Sequence, residues 1–511
     1  MKNQRKAGFV LSYISIFVSS VIGIAFTPYM IAQLGKDEYG LYQLLYAVIG
    51  YFSLLDFGLG GTLTRFILKY KAEGDNKKVD SVITMCVKIY CTMGLAVLLI
   101  TFIGSYFLEN LFPGSINGAN LTNAKIVFII MGATTALSFV RHALSGIQSA
   151  EEQYVVMKLV VIAQHIFRMI LILILLHLGV GAIGVAFADL IVTSILLLFD
   201  MYYCKFVMHY NLMKGKWNTP LFKALFTFSV FVFLQIIVTQ INNGLDRIIL
   251  GRYATLELVA LYGVAMQLYN LFNSLGGVIA GITLPQVSKV VFSGADVDKT
   301  TNCCAHYSRY QLHISALLLG GFLVLGKHFI SIWTPGYDST QVYVIVLLIV
   351  VPQILESVEG TVFNVMKAKN LQTTRSLILV GVAVLHIILS VILVHIMPVY
   401  GTALGTCISF VIGNNILSNI YYHKKVGVNM IQYFKKLFDG ILPAWCLVQV
   451  IGLAIAKLPL SGWIGFAIKG LCYSIVYIIV FYYIGINQSE KALVHTCLKK
   501  LKLKNNNKIS A

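Results

Sequence analysis

Apolar stretches long enough to cross a bilayer follow one another from end to end of this chain, each closed by a few polar or charged positions. A hydrocarbon core needs ~20 consecutive apolar residues per helix. On that measure the pattern predicts fourteen spans, at 9–33, 41–67, 82–106, 124–147, 155–178, 182–203, 222–244, 256–281, 307–330, 341–366, 374–396, 402–422, 437–457 and 463–486. The expected fold class is an all-α integral membrane protein of about 14 transmembrane helices. The opening MKNQRKAGFVLSYISIFVSS mimics a signal peptide. Its apolar run continues past 20 residues with no small-residue cleavage site, so it reads as the first span.

One polar interruption returns. QLGKDEYGLYQ separates the first two spans, and its Leu34-Gly35 and Tyr39-Gly40 reappear as Leu250-Gly251 and Tyr262-Gly263. Further pairs keep almost the same offset: Thr62-Leu63 with Thr283-Leu284, Lys88 with Arg309, LFPG at 111–114 with WTPG at 333–336, and GAIG at 181–184 with GTALG at 401–405. Matches in order at near-constant spacing mark an internal duplication. Six spans per copy return the chain to the same side, so the copies are parallel repeats about an axis normal to the membrane. The expected organisation is a first six-helix lobe at 1–215, a second at 216–430, two additional helices at 431–490 and a basic tail at 491–511.

Composition fits this picture. The chain is 58% hydrophobic and 12% charged, with a mean hydropathy of +0.81. That is about half the charged share of a soluble domain, which leaves no soluble domain to account for. The net charge of +19 is distributed by topology. With the N-terminus inside, the cytoplasmic segments hold 27 Lys and Arg and the outer loops hold six: Lys36, Lys125, Arg247, Arg252, Lys327 and Lys457. This positive-inside bias places both termini in the cytoplasm and removes the need for a nucleic-acid partner. Trp217, Trp333, Trp445 and Trp463 sit near span ends as interfacial anchors. The nine Cys show no metal or disulfide spacing.

QLGKDEYGLYQ, DFGLGGTLTRF closing span 2 and DRIILG closing span 7 resemble the polysaccharide-transporter (Wzx-type flippase) branch of the multidrug/oligosaccharidyl-lipid/polysaccharide (MOP) exporter superfamily. The resemblance runs over essentially the whole chain. It implies two lobes around a central cavity and no cofactor. It also implies a cargo of undecaprenyl-pyrophosphate-linked oligosaccharide, moved across the bacterial cytoplasmic membrane. The partners it implies are that lipid-linked cargo, membrane lipid, and a polysaccharide polymerase with a chain-length regulator in the same membrane.

Candidate cavity residues come from polar stripes on apolar helices. Gln235, Thr239, Asn242 and Asp246 share one face of span 7, and Asn243 adjoins it. Ser19, Gly23 and Thr27 hold the matching positions of span 1, while Gln267, Asn270, Ser274, Gly277 and Gly281 line span 8. Polar side chains avoid lipid, so such faces either bond between helices or line a hydrated cavity.

Six cations remain inside spans: Arg65, Lys88, Arg141, Arg168, Arg309 and Lys469. Each costs about 2.5–3.5 kcal/mol at the bilayer centre and so needs a reason. All but Lys469, which reads as snorkelling to the interface, are candidates for holding pyrophosphate. Arg168 lies near mid-bilayer and has a structural alternative, a buried pair with Asp189. The second half carries acids instead. Asp246, Glu356 and Glu359 are candidates for coupling to an H⁺ or Na⁺ gradient, or for interhelical pairing with Lys367 and Lys369. His165, His313 and His386 read as buried, hydrogen-bonded histidines.

Other classes fit poorly. The longest outer loop, 107–123, has one carboxylate and no His, and no loop presents a catalytic set, so no enzyme is expected. A multidrug antiporter of the same superfamily would need a carboxylate in span 1, which has none. A lipid II flippase of peptidoglycan synthesis also carries pyrophosphate and remains the nearest alternative.

Overall fold

The computed structural model describes residues 2–118, 120–276, 278–369, 371–492 and 496. These residues are predominantly helical, with no strand among them. The first half forms α1 (Lys2–Gly50), α2 (Leu59–Ala72), α3 (Asn76–Ser105), α4 (Leu121–Ala150), α5 (Tyr154–His177) and α6 (Gly181–Tyr202). Then come α7 (Thr219–Tyr253), α8 (Leu256–Gly276), α9 (Val278–Phe292), α10 (Val297–Trp333), α11 (Ser339–Val358) and α12 (Gly360–Ala368). The remainder comprises α13 (Gln372–Ile396), α14 (Gly401–Phe410), α15 (Met430–Phe438), α16 (Ile441–Ala456) and α17 (Gly462–Val480).

Among the described residues, ten helices are long and apolar enough to cross a membrane. They become eleven if α15 and α16, bent by 43°, count as one span. The fourteen expected are not reached by this measure, for two reasons. The run Val10–Ala72 contains both of the first two predicted spans. In addition, α7 and α8, which stand where spans 7 and 8 are expected, are not among those eleven. Rows of exposed apolar side chains, such as Leu95, Leu99, Phe102 and Ile103 on α3, are the surfaces that hydrocarbon would cover.

Two breaks shape the N-terminal run. Gly35 has φ 72° and ψ 177°, a conformation essentially reserved for glycine, so the polar hairpin is a kink within one helical stretch. A 3₁₀ segment over Tyr51–Asp56 then leads to Phe57 (φ 48°) and Gly58 (φ 71°), which interrupt the second predicted span before α2 restarts. DFGLGG is therefore a mid-span break.

The chain divides into two compact units, Met1–Leu268 with Leu379–Ser409, and Tyr269–Ile378 with Phe410–Ala511. The first unit is cored by Leu63, Ile67, Val82, Tyr90, Phe139 and Leu144, drawn from α2, α3 and α4. The second is cored by Val362, Met366, Tyr422, Tyr433 and Tyr473. Within it the two helices beyond the repeat dock on α10. Trp445 Nε1 donates to the Ala316 carbonyl (2.9 Å) and Tyr477 OH to that of His313 (2.7 Å).

Candidate functional site

Within the first unit the two repeat-related hairpins meet. A Cβ on Gly40 would sit 2.1 Å from the Leu256 carbonyl oxygen, so this contact tolerates only glycine. Gly251 takes Leu44 in the same way, with 2.4 Å to its nearest methyl, and Gly263 takes Gln43. Polar groups tie the seam. Lys36 Nζ pairs with Glu257 (2.5 Å), and Arg247 Nη1 donates to Gln43 Oε1 (2.9 Å), whose amide donates to the Tyr39 hydroxyl (2.9 Å). Glu38 accepts from the Ala182 N–H (3.0 Å), capping the start of α6. Lys36, Glu38, Tyr39, Gly40 and Gln43 of the motif thus each have a contact that explains them.

Three of the six intramembrane cations face acids. Arg168 grips Asp189 with two donors (2.5 and 3.2 Å) and gives a third bond to Tyr42 (2.9 Å). The structural alternative named for it is therefore formed. Arg141 pairs with Asp200 (3.0 Å), and that buried carboxylate also accepts from Gln148 (3.0 Å). In the second unit Arg309 is buried, with Nε and Nη2 on the two oxygens of Glu490 (2.7 and 3.0 Å). Its other N–H groups reach the carbonyls of Lys436, Asp439 and Gly485. All its donors are engaged by protein acceptors, which leaves none for a phosphate in this arrangement. Lys469 is buried rather than snorkelling, with Nζ on the Ala456 carbonyl (3.0 Å). Lys88 and Arg65 are exposed, and Arg65 lines a cleft.

The Arg168 pairing makes a prediction. Arg168→Ala strands a carboxylate and is expected to cost about 3–5 kcal/mol. The double variant Arg168→Gln/Asp189→Asn is expected to keep near-normal transport in a complementation assay. A transport defect in the double variant as deep as in Arg168→Ala would assign Arg168 to the cargo instead.

The polar stripes are used partly for packing. Thr27 Oγ1 returns to the Gly23 carbonyl (2.6 Å) and Ser19 Oγ to that of Ile16 (2.9 Å). Gly23 lies against Gln267 Nε2, so spans 1 and 8 touch at stripe positions. Thr239 and Asn270 are exposed, and Asn242 Oδ1 is buried without a hydrogen-bond partner. The side chains of Gln235 and Asn243, the surroundings of Gly281, and all of Gly277 lie outside the described residues.

Asp246 holds the most elaborate site. Its Oδ1 meets His386 Nε2 (3.0 Å) and Ser390 Oγ (3.4 Å), and its Oδ2 accepts from Thr406 (2.9 Å) and from Tyr262. Asp246, His386, Ser390 and Thr406 are all buried. The partner of His386 was not legible from local pattern, because Asp246 stands 140 residues away. The one available signal was two pairs at helical spacing, His386/Ser390 and Thr402/Thr406, each presenting a polar edge on an apolar helix.

Glu356 and Glu359 belong to the second unit. Glu356 pairs with Arg375 (2.8 Å) and accepts from Asn414 (2.7 Å), while buried Glu359 accepts from Asn419 (2.8 Å). The expected partners Lys367 and Lys369 are corrected. Lys369 reaches the Val426 carbonyl (2.7 Å) and Lys367 lies over the Phe363 ring (4.3 Å). Asn414 and Asn415 ride on a wide π-helical turn over Val411–Leu417, which aims them at α11.

Kinked and broken apolar helices make a multi-span membrane protein, and its family and fold are those of a transporter. Its fold is that of the MOP superfamily. Over 93% of this chain and 97% of the other it superimposes on the lipid II flippase MurJ in an inward closed conformation, with a TM-score of 0.71 and 16% identity. A multidrug resistance MATE family transporter in an inward-facing conformation follows at 0.65 and 15% identity, covering 81% of this chain and 94% of that one. Residues 6–291 match the family described as polysaccharide biosynthesis protein, and the chain belongs to that family. Its relatives include the uncharacterized membrane protein EpsK of Bacillus subtilis, 21% identical over 96% of this chain and 97% of that protein. The "Probable flippase AglR" of Haloferax volcanii is 24% identical over 77% and 78%.

Proposed function

We propose that this protein flips a polyprenyl-pyrophosphate-linked oligosaccharide from the inner to the outer leaflet of a bacterial cytoplasmic membrane, by alternating access and without changing the cargo chemically. The observation that carries the mechanism is the glycine seam between the repeat hairpins. A tight contact between symmetry-related corners, held by few polar bonds, is what a transporter needs on the side it keeps shut. Membership of a polysaccharide-biosynthesis family supports the cargo class, and the excess of first-half cations favours an anionic cargo over a cationic drug. The positive-inside count supports a seam on the outer face and both termini in the cytoplasm.

Coupling to an ion gradient follows from Asp246. A buried carboxylate bonded to a histidine can exchange a proton, and an oxygen cage of this kind can also take Na⁺. We read this cage as the coupling site, with Glu356 and Glu359 as its counterparts in the second unit. Collapse of both the H⁺ and the Na⁺ gradient should therefore stop transport.

The cellular test compares lipid extracts from cells with and without the protein. Polyprenyl-pyrophosphate oligosaccharide is expected to accumulate while surface polysaccharide disappears, and the wild-type gene is expected to reverse both. Unchanged surface polysaccharide with no build-up would reject the cargo.

A further inference from the structure

Between the apolar stretch Gly401–Val426 and the span that begins with α16 lies α15, nine residues reading MIQYFKKLF. At about 1.5 Å per residue it is far too short to cross a bilayer. Gly440 (φ 71°) stands at the 43° bend between it and α16. We propose that α15 lies in the plane of the membrane surface and docks anionic phospholipid headgroups. The bilayer itself is the occupant, so the inference holds whatever cargo is moved.

Three strips run along α15. Met430, Tyr433 and Leu437 are buried in the core of the second unit. The adjoining strip, Ile431, Phe434 and Phe438, repeats the i, i+3, i+7 spacing and is apolar but open. Its two rings are half-buried and stack at 6.1 Å, and Ile431 is 76% exposed. Gln432, Lys435 and Lys436 complete the circumference, and both lysines are exposed. A buried strip, an open apolar strip and a basic strip side by side suit a helix lying where protein, hydrocarbon and headgroups meet. One exposed isoleucine alone needs no explanation, but one that continues a strip of two phenylalanines and borders lysine does.

The charge pattern names the occupant. His423, Lys424 and Lys425 are exposed in the turn that leads into α15, and Lys369 Nζ bonds the Val426 carbonyl in the same turn (2.7 Å). Over 422–440 the chain carries four lysines against one acid, Asp439, and Lys436 also bonds Asn302. Basic residues clustered directly beside a span attract anionic phospholipid, and their excess favours the cytoplasmic leaflet. The helix is also held firmly. Asn429 caps its start by accepting from the Gln432 N–H (3.2 Å), and its own N–H donates to Thr301 Oγ1 of α10 (3.0 Å). Tyr433 OH reaches Ser308 Oγ (2.8 Å) and the Val358 carbonyl (3.2 Å), and Arg309 takes the Lys436 carbonyl at the far end (2.9 Å). A surface fixed at its start, middle and end loses little conformational freedom when lipid docks on it.

The test replaces Ile431 by the photocrosslinker p-benzoylphenylalanine in the full-length protein, in liposomes of equal phosphatidylglycerol and phosphatidylcholine. Adducts formed on illumination are identified by mass spectrometry. Lipid adducts are expected, with phosphatidylglycerol favoured about fivefold or more. The same probe in place of Leu95 on α3, which is 63% exposed, should show no such preference. Adding Lys424→Gln/Lys425→Gln/Lys435→Gln should abolish the preference at 431, and Lys424→Arg/Lys425→Arg/Lys435→Arg should keep it, which separates charge from folding. No lipid adduct at 431, or adducts with protein in its place, would overturn the proposal by showing that the strip is covered. Equal capture of the two lipids would overturn it too, leaving an ordinary hydrocarbon-facing surface. A preference that survives the triple glutamine variant would remove the lysines from the account. Loss of the preference on adding inorganic phosphate at constant ionic strength would mark a free-anion site instead.

Discussion

Gly40→Ala is expected to cut transport about tenfold to a hundredfold while the protein still reaches the membrane. The added methyl would stand 2.1 Å from a backbone carbonyl oxygen, and backbone on both sides leaves nothing flexible to yield. Overpacking of this sort costs about 1–3 kcal/mol. Here the cost falls on the sealed arrangement alone, since separated hairpins accommodate the methyl freely. A shift of that size moves a two-state equilibrium by roughly one to two powers of ten. The readout is Leu44→Cys labelled from outside with a membrane-impermeant maleimide. Labelling should accelerate when Gly40→Ala is added, because Leu44 is buried against Gly251 in the closed seam. Equal labelling and normal transport would mean that the seam never opens.

Arg309→Ala is expected to be the most damaging single change, about 3–5 kcal/mol, with low expression and a lowered Tm. It leaves the Glu490 carboxylate buried without its cation and orphans the carbonyls of Asp439 and Gly485. Arg309→Met/Glu490→Leu removes both charges and should recover most of the loss. Glu490, just beyond the last span, adds a pH signature. Burial alone would push its pKa up, but His313, Arg309 and the Asn487 N–H outweigh burial and hold it down at about 2, below its ordinary 4.5. A carboxylate depressed in the folded state stabilises fully above its unfolded value, and the contribution disappears as pH falls through the folded one. Detergent-solubilised wild type should therefore lose stability between pH 4.5 and about 2 more steeply than the double variant.

Much of this was legible in the sequence, for identifiable reasons. Span periodicity depends only on local composition, so the helices fall where the apolar stretches do. The repeat was visible because Leu-Gly and Tyr-Gly return in order; Gly40, Gly251 and Gly263 return because each admits a neighbour's side chain or backbone at the seam, whereas Gly35 supplies the positive φ of the kink. Depth along a helix was also readable. It paired Arg168 with Asp189 before any coordinates, because both sit at a similar level in adjacent spans.

Rotation about helix axes and contacts across long separations were not legible. Nothing local distinguishes Arg375 from Lys367 and Lys369 as the partner of Glu356, since all three follow it within about five turns of helix. The break at Glu359 and the start of α13 decide that Arg375 faces it. Arg309 read as a phosphate candidate by depth and by its match to Lys88. Its engagement depends on Glu490, beyond the final helix and outside the repeat that prompted the comparison. His386 was hidden for the same reason. Its partner lies four predicted spans earlier, and an intramembrane histidine gives no sign of which helix it will meet.

The central claim is that this chain moves a pyrophosphate-linked oligosaccharide between leaflets. It is tested most directly with purified protein in liposomes carrying a fluorescent polyprenyl-pyrophosphate oligosaccharide, by following how fast the inner-leaflet label becomes accessible to a glycosidase added outside. The account predicts rapid access with wild type and slow access with Gly40→Ala. Access no faster than in protein-free liposomes, under every imposed H⁺ and Na⁺ gradient, would contradict it.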